Sequence, residues 1–235
     1  NEGARALAVY VGSQLDQAKY ANDETVKKQA AERVELLTPV CKSFFTDRGF
    51  DNTVMGQQCF GGHGYIREHG QEQLVRDARI AQIYEGTNGI QALDLAGRKV
   101  TRNGGKFVTP FLAEIEAFLA NEGKSAALDG VRGQLAAAVQ LLRSATDFLL
   151  AETQRDANAA NALAVEYLDL FGYVTYAWLW ARMMVVAAGK QGDFHRHKEL
   201  TGAFYFERIL PRIHALNAQM QAGCGAIMAF PESAF

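Results

Sequence analysis

Apolar residues recur along this chain at helical spacing. Ala4, Leu7, Ala8, Val11, Leu15 and Ala18 follow the i, i+3, i+4, i+7 rhythm of one buried face and predict an amphipathic helix. Asn22 and Asp23 interrupt it, and a charged helix follows from Glu24. The Thr38-Pro39 pair predicts a new helix start, because threonine caps and proline suits the first turn. That helix should run to Cys59 and stop at Gly61, Gly62 and Gly64. A shorter helix is expected over 71–79. Thr87 is placed to cap the next one, whose apolar positions are Ile90, Leu93 and Val100. Asn103, Gly104 and Gly105 mark the strongest boundary. Beyond it the pattern predicts helices over 107–119, 126–152, 161–189 and 193–222, the last kinked or split at Pro211. No alternating strand pattern, repeat or low-complexity run stands out. The expected fold is all-α, with two helical bundle units, 1–105 and 106–235.

Composition narrows the class. The chain has 235 residues, 49% of them apolar, which is enough for a sizeable core. Its 24 basic and 26 acidic side chains leave a net charge of -2, so no broad basic field is available for nucleic acid. Three widely spaced cysteines, Cys41, Cys59 and Cys224, fit neither a disulfide framework nor a zinc cluster and suit a reducing compartment. Residues 171–189 approach the length of a membrane span, but Arg182 sits centrally and several polar atoms accompany it, so a buried core helix is expected instead.

Few residues offer chemistry by themselves. GGHG, from Gly61 to Gly64, reads as a helix stop, with a backbone cradle for phosphate as the alternative; it lacks the spacing of a dinucleotide fingerprint. No histidine pair has metal-ligand spacing, and no metal site is expected. His195 and His197 read as a solvated helix start, Arg76 to Arg79 as a surface or interhelical charge set, and Tyr173, Tyr176, Trp178 and Trp180 as packing groups. Glu85 is harder to place. It lies in the connector IYEGT with no basic neighbour in sequence, and reads either as a solvated carboxylate or as a general base in a site that a ligand closes. The helix start near Thr87 favours its charged form, and burial beside Ile83 and Tyr84 would favour the neutral one.

The stretch QCFGGHGYIREHGQEQLVRDARIAQIYEGTNGIQALDLAGRKV, residues 58–100, resembles the C-terminal helical domain of the acyl-CoA dehydrogenases. The G-G-x-G-Y, R-D-A-R-I and I-Y-E-G-T runs occur in the family's order and separation, and the likeness covers about residues 1–101. YEGTNGIQALDLAGRK followed by a helical extension is similar to one bacterial subgroup, the methylthiopropanoyl-CoA dehydrogenases and related enzymes. These carry an additional C-terminal-like domain, here 106–235.

The resemblance implies an FAD enzyme that desaturates an acyl-CoA thioester. Glu85 would be the α-proton base and its backbone N–H a donor to the thioester carbonyl, with Tyr84 and Gly86 lining the substrate pocket. Gln58, Gly61, Gly62 and Thr87 would contact FAD; Gln58 and Gly62 match positions that touch the ADP part of a flavin held mainly by a neighbouring subunit. Gly89 and Ala92 depart from the glutamine or glutamate and the arginine that many members carry. The family places a helical domain and a β-domain ahead of this region, so the chain is expected to be the C-terminal piece of a longer enzyme, inactive alone. An electron-transfer flavoprotein or similar acceptor, a homodimer or homotetramer, and a bacterial cytoplasmic location go with that reading, as does a short or sulfur-bearing acyl group. The competing readings are a non-catalytic helical assembly module and a flavoprotein of this family with another role.

Overall fold

The computed structural model describes residues 1–234 and is all-α, with no strand among them. Phe235, the end of the second expected unit, lies outside the described residues. The first stretch holds α1 (Glu2–Tyr20), α2 (Glu24–Cys59), α3 (Gln71–Ala81) and α4 (Asn88–Leu93), which a π-helical turn prolongs over Asp94–Thr101. Then come α5 (Val108–Ala120), α6 (Arg132–Arg155), the short α7 (Ala159–Ala162), α8 (Ala164–Ala187), α9 (Asp193–Phe204), α10 (Arg212–Gln221) and the short α11 (Gly225–Met228).

The 24-residue α8 runs through the middle of the molecule and packs against α1, α2, α4, α6, α9 and α10. It is long and apolar enough to cross a membrane, but 78% of its most apolar window is buried within the protein, as expected for a core helix. Three glycines bring its neighbours close. A Cβ on Gly172 would stand 2.5 Å from the Phe44 ring of α2. One on Gly3 of α1 would meet Tyr176, and one on Gly202 of α9 would meet Met184, each at 2.5 Å. Phe44 then contacts Tyr173 and Tyr176 edge-on, both at 4.9 Å between ring centres, and Tyr10 meets Trp178 at 5.0 Å. The four aromatics singled out on this helix are therefore packing groups.

A single apolar cluster includes Leu7, Leu36 and Phe44 from the first stretch and Phe111, Leu142, Trp178 and Phe206 from the second. The chain turns between the two stretches at Asn103–Gly105, where Gly104 and Gly105 take φ of 63° and 77°.

Three local expectations are corrected. Thr38-Pro39 starts no helix: α2 continues through Pro39, and its true N-cap is Asp23, whose carboxylate accepts from the N–H of Thr25 at 2.7 Å and of Val26 at 3.3 Å. The buried residues Leu36, Leu37, Val40 and Phe44 lie on both sides of the proline and form one face, so continuing the helix outweighs one lost backbone hydrogen bond. Ile90 is exposed rather than buried, and the π turn rotates Leu95, Ala96, Lys99 and Val100 inward instead. The helix expected over 126–152 begins as a 3-10 turn and becomes α-helical only at Arg132. Pro211 does split the last helix, after a π turn at Tyr205–Ile209. Arg76 and Arg79 lie on the surface and make no ion pair; Arg79 instead donates to Gln82 Oε1 at 2.7 Å.

Beneath Tyr173 lies a half-buried charge group. Arg48 donates to the Tyr173 hydroxyl and pairs with Asp51 at 3.2 Å and Asp169 at 4.0 Å, and Arg212 reaches the same hydroxyl at 3.2 Å. Burial pushes the Asp169 carboxyl up to about 6, against the pull of Arg48 and with the push of Asp47, Asp51 and Glu166.

Two outcomes follow for stability. Gly172→Ala drives a methyl into Phe44 and should cost about 1–3 kcal/mol in denaturant unfolding. Gly49→Ala, inside α2 with no neighbour within 4 Å of its Cβ, should instead gain about 0.5–1 kcal/mol. Asp169 holds its proton more tightly folded than unfolded, so its contribution is fully present below the unfolded value and declines as pH rises from about 3.8 to about 6. Stability measured across that window should fall less steeply in Asp169→Asn.

Candidate active site

The connector between α3 and α4 is a short loop tied at its ends. Tyr84 N–H donates to Ile80 O at 3.1 Å, extending the α3 turn. Asn88 N–H donates back to Gln82 O at 3.1 Å, and Thr87 Oγ1 caps α4 by accepting from Ile90 N–H at 3.4 Å, as the sequence predicts. Ile83, Tyr84, Glu85, Gly86 and Thr87 are all exposed.

Glu85 is the one residue besides glycine with positive φ among those described, at 54°. The left-handed region costs an L residue roughly 1–2 kcal/mol, and such strain persists where surrounding structure over-determines it. Gly86 follows at φ 82°, and a Cβ there would stand 2.8 Å from Gln91 Nε2. That same amide donates to Glu85 O at 3.3 Å. The Glu85 N–H has no acceptor among the described residues and remains a free donor.

The fold brings a lysine from α2 to the end of the loop. Lys42, on α2, donates to Asn88 Oδ1 at 2.8 Å. Its pKa is lowered by burial, while Asp47 and Glu85 pull it upward, which sets its ammonium in the field of the Glu85 carboxylate. Asn88 Nδ2 donates to Asp47 Oδ1 at 2.6 Å and to Thr46 Oγ1 at 2.9 Å, and Gln82 Nε2 reaches the same Asp47 oxygen at 2.6 Å. Lys42, Asp47, Gln82, Asn88 and Gln91 are absent from the sequence-based site. The α2 residues lie some forty positions upstream of the loop, and no local pattern signals that contact.

The other expected site residues lie apart. Gln58 lies in the last turn of α2, and Gly61 and Gly62 open a 3-10 turn spanning Gly61–Gly64. Gln58 is sixteen residues beyond Lys42, about 24 Å along the helix at 1.5 Å per residue. The structure brings Tyr84, Glu85, Gly86 and Thr87 together at one place and Gln58, Gly61 and Gly62 at another. Gln58 is exposed and makes no side-chain hydrogen bond, Gly61 has φ 58°, and a Cβ on Gly61 or Gly62 would meet nothing within 4 Å. A free carboxamide beside bare backbone suits the polar edge of a dinucleotide. By contrast Gly64 is structural: a Cβ would lie 2.4 Å from Gln57 O. Gly89 is exposed and Ala92 is buried in the core.

Neither of two surface cavities includes Glu85. One, about 690 Å³, lies between α1, α8 and α9; the other lies between α1, α2 and α5. In and beside the connector Ile80, Ile83, Tyr84 and Ile90 are all exposed. An apolar surface of this kind marks a region where other protein or ligand packs.

Comparison with known proteins gives the same assignment. Residues 4–100 match the model of the acyl-CoA dehydrogenase C-terminal domain, and residues 111–231 match that described as acetyl-CoA dehydrogenase C-terminal like. The chain belongs to the acyl-CoA dehydrogenase family. It is 36% identical over 228 residues to a 3-methylmercaptopropionyl-CoA dehydrogenase of Ruegeria pomeroyi, covering 93% of this chain and 38% of the relative. A broad-specificity linear acyl-CoA dehydrogenase of Mycobacterium tuberculosis is 29% identical, over 100% of this chain and 41% of that protein. A butyryl-CoA dehydrogenase of Syntrophomonas wolfei is 27% identical, over 99% and 40%. The chain thus spans about two fifths of the length of the relatives it matches.

Relief of the Glu85 strain is measurable. Glu85→Gly removes the left-handed penalty but adds freedom to the unfolded chain, and the net gain should be about 0.5–1 kcal/mol in denaturant unfolding.

Proposed function

We propose that this chain forms the C-terminal part of an FAD-dependent acyl-CoA dehydrogenase that converts an acyl-CoA thioester to the trans-2-enoyl-CoA, with Glu85 as the base. The observation that carries the reading is the conformation of Glu85: a carboxylate held at φ 54° in an exposed loop, with its own N–H free. A merely solvated side chain gains nothing from that strain.

The Glu85 carboxylate takes the α-proton. The free Glu85 N–H donates to the thioester oxygen as negative charge grows there, which lowers the cost of removing that proton. Tyr84 and Gly86 would line the substrate pocket. FAD, when bound, supplies the acceptor for the β-hydride. Gln58, Gly61 and Gly62 would hold the ADP part of a flavin, and Thr87 would touch a flavin near Glu85. The enzyme would work as a homodimer or homotetramer, in which the ADP-contacting set serves a flavin held mainly by a neighbouring subunit. Closure of the open apolar surface by the remainder of the enzyme would exclude water from Glu85. Electrons would then leave to an electron-transfer flavoprotein or a similar acceptor in the bacterial cytoplasm. The similarity to the Ruegeria protein supports a short or sulfur-bearing acyl group.

Glu85→Gln in the full-length enzyme tests the base. Flavin content should persist, and flavin reduction in single-turnover mixing with acyl-CoA should slow on the order of 10²–10⁴-fold. Reduction at the parental rate would remove Glu85 from the mechanism.

A further inference from the structure

The residues that build the Glu85 loop from below have no role in the proton transfer itself. Asp47 Oδ1 accepts from Gln82 Nε2 and from Asn88 Nδ2, so one carboxylate oxygen on α2 is bonded to both residues that bracket the loop. The loop's ends are also joined directly, Asn88 N–H to Gln82 O. Asn88 is saturated: the second hydrogen of Nδ2 is shared between Thr46 Oγ1 at 2.9 Å and Ser43 O at 3.2 Å, and Oδ1 accepts from Lys42. Thr46 in turn donates to Lys42 O at 2.8 Å, which anchors it to the helix. Between these ends, residues 83–87 are exposed, and the side-chain bond to Glu85 itself comes from Gln91 Nε2 to its carbonyl oxygen. No buried core shapes the loop, yet Glu85 takes a conformation that a free loop avoids.

We propose that Asn88 and Asp47 are positioning residues for the acyl-CoA dehydrogenation. With Lys42, Thr46 and Gln82 they form a polar clamp that closes the loop into a fixed ring and so forces Glu85 into its left-handed, outward-facing form. The clamp also holds the Lys42 ammonium on Asn88 Oδ1, so the end of the loop and that cation are set by one network. It acts on the chemical step, because a base displaced by even 1 Å loses about 10²-fold in rate while the substrate still binds. This inference rests on the reading of Glu85 as the base.

The test uses the full-length, flavin-loaded enzyme, with octanoyl-CoA and butyryl-CoA as probes. Two measurements are made: the rate of flavin reduction in rapid mixing, and amide hydrogen exchange at 83–87 without substrate. In Asn88→Ala, exchange at 83–87 should rise and flavin reduction should fall about 10–100-fold, while the dissociation constant for the acyl-CoA changes less than about 3-fold. Asp47→Ala should do the same. Asp47→Asn keeps an oxygen that accepts from both amides and should recover most of the lost rate, which a loss of folding would not allow. Unchanged exchange in Asn88→Ala and Asp47→Ala overturns the clamp. So does parental flavin reduction in both variants when Glu85→Gln has lost it. Parental reduction in Glu85→Gln overturns the base instead, and the exchange rates then decide the clamp alone.

Discussion

The contact between Phe44 and Gly172 fixes the register of the molecule. The absent side chain at Gly172 lets the Phe44 ring lie on the backbone of α8, where Tyr173 and Tyr176 grip its edges. Phe44 sits between Lys42 and Thr46 on α2, so the packing that buries one face of the helix also sets the rotation of the other. Lys42, Thr46 and Asp47 point at α4 and the Glu85 loop because Phe44 points at α8. A core contact between aromatic rings and a glycine thereby governs a polar site that shares none of its atoms.

The same logic joins the two stretches of the chain. α8 comes from the second, and its nearest partners include α1 and α2 from the first. Arg48 of α2, Asp169 and Tyr173 of α8 and Arg212 of α10 form a charged seam across that junction. The two family models divide the chain on either side of the Asn103–Gly105 turn, while the apolar cluster passes through both. The second stretch thus shores up the helix that carries the clamp, without contributing a group to the loop itself.

Helical periodicity made most of the fold readable from the letters. The helix α1, the glycine stop after α2, the Thr87 cap and the Pro211 break all depend on near neighbours in sequence, but the expected face of α1 is wrong in part: Ala8 and Leu15 are exposed, and Gly3, Leu7 and Tyr10 are buried against the rest of the fold. Pro39 misled for a physical reason: a proline forfeits one hydrogen bond, and a buried stripe on both sides of it outweighs that loss. Ile90 misled because the π turn at Asp94–Thr101 shifts the buried face, and no period of 3.6 anticipates it. Of the candidate site, Tyr84 to Thr87 could be read because they are contiguous. Lys42, Asp47 and Asn88 could not, because their meeting is a tertiary fact with no local signature.

α8 also constrains how the chain acquires its shape. It is the one helix among the described residues long and apolar enough to cross a membrane, and it is followed by the helices α9 and α10 that pack on it. A growing chain therefore carries that surface bare until its closing helices have been made. Loss of the C-terminal segment would leave Trp180 and the Tyr173–Tyr176 side without the covering of Tyr205. The order of synthesis matters here: the greasy rod at the centre is shielded from chaperones, aggregation and the insertion machinery of a bilayer only once the ribosome has also made α9 and α10, which follow it in the chain.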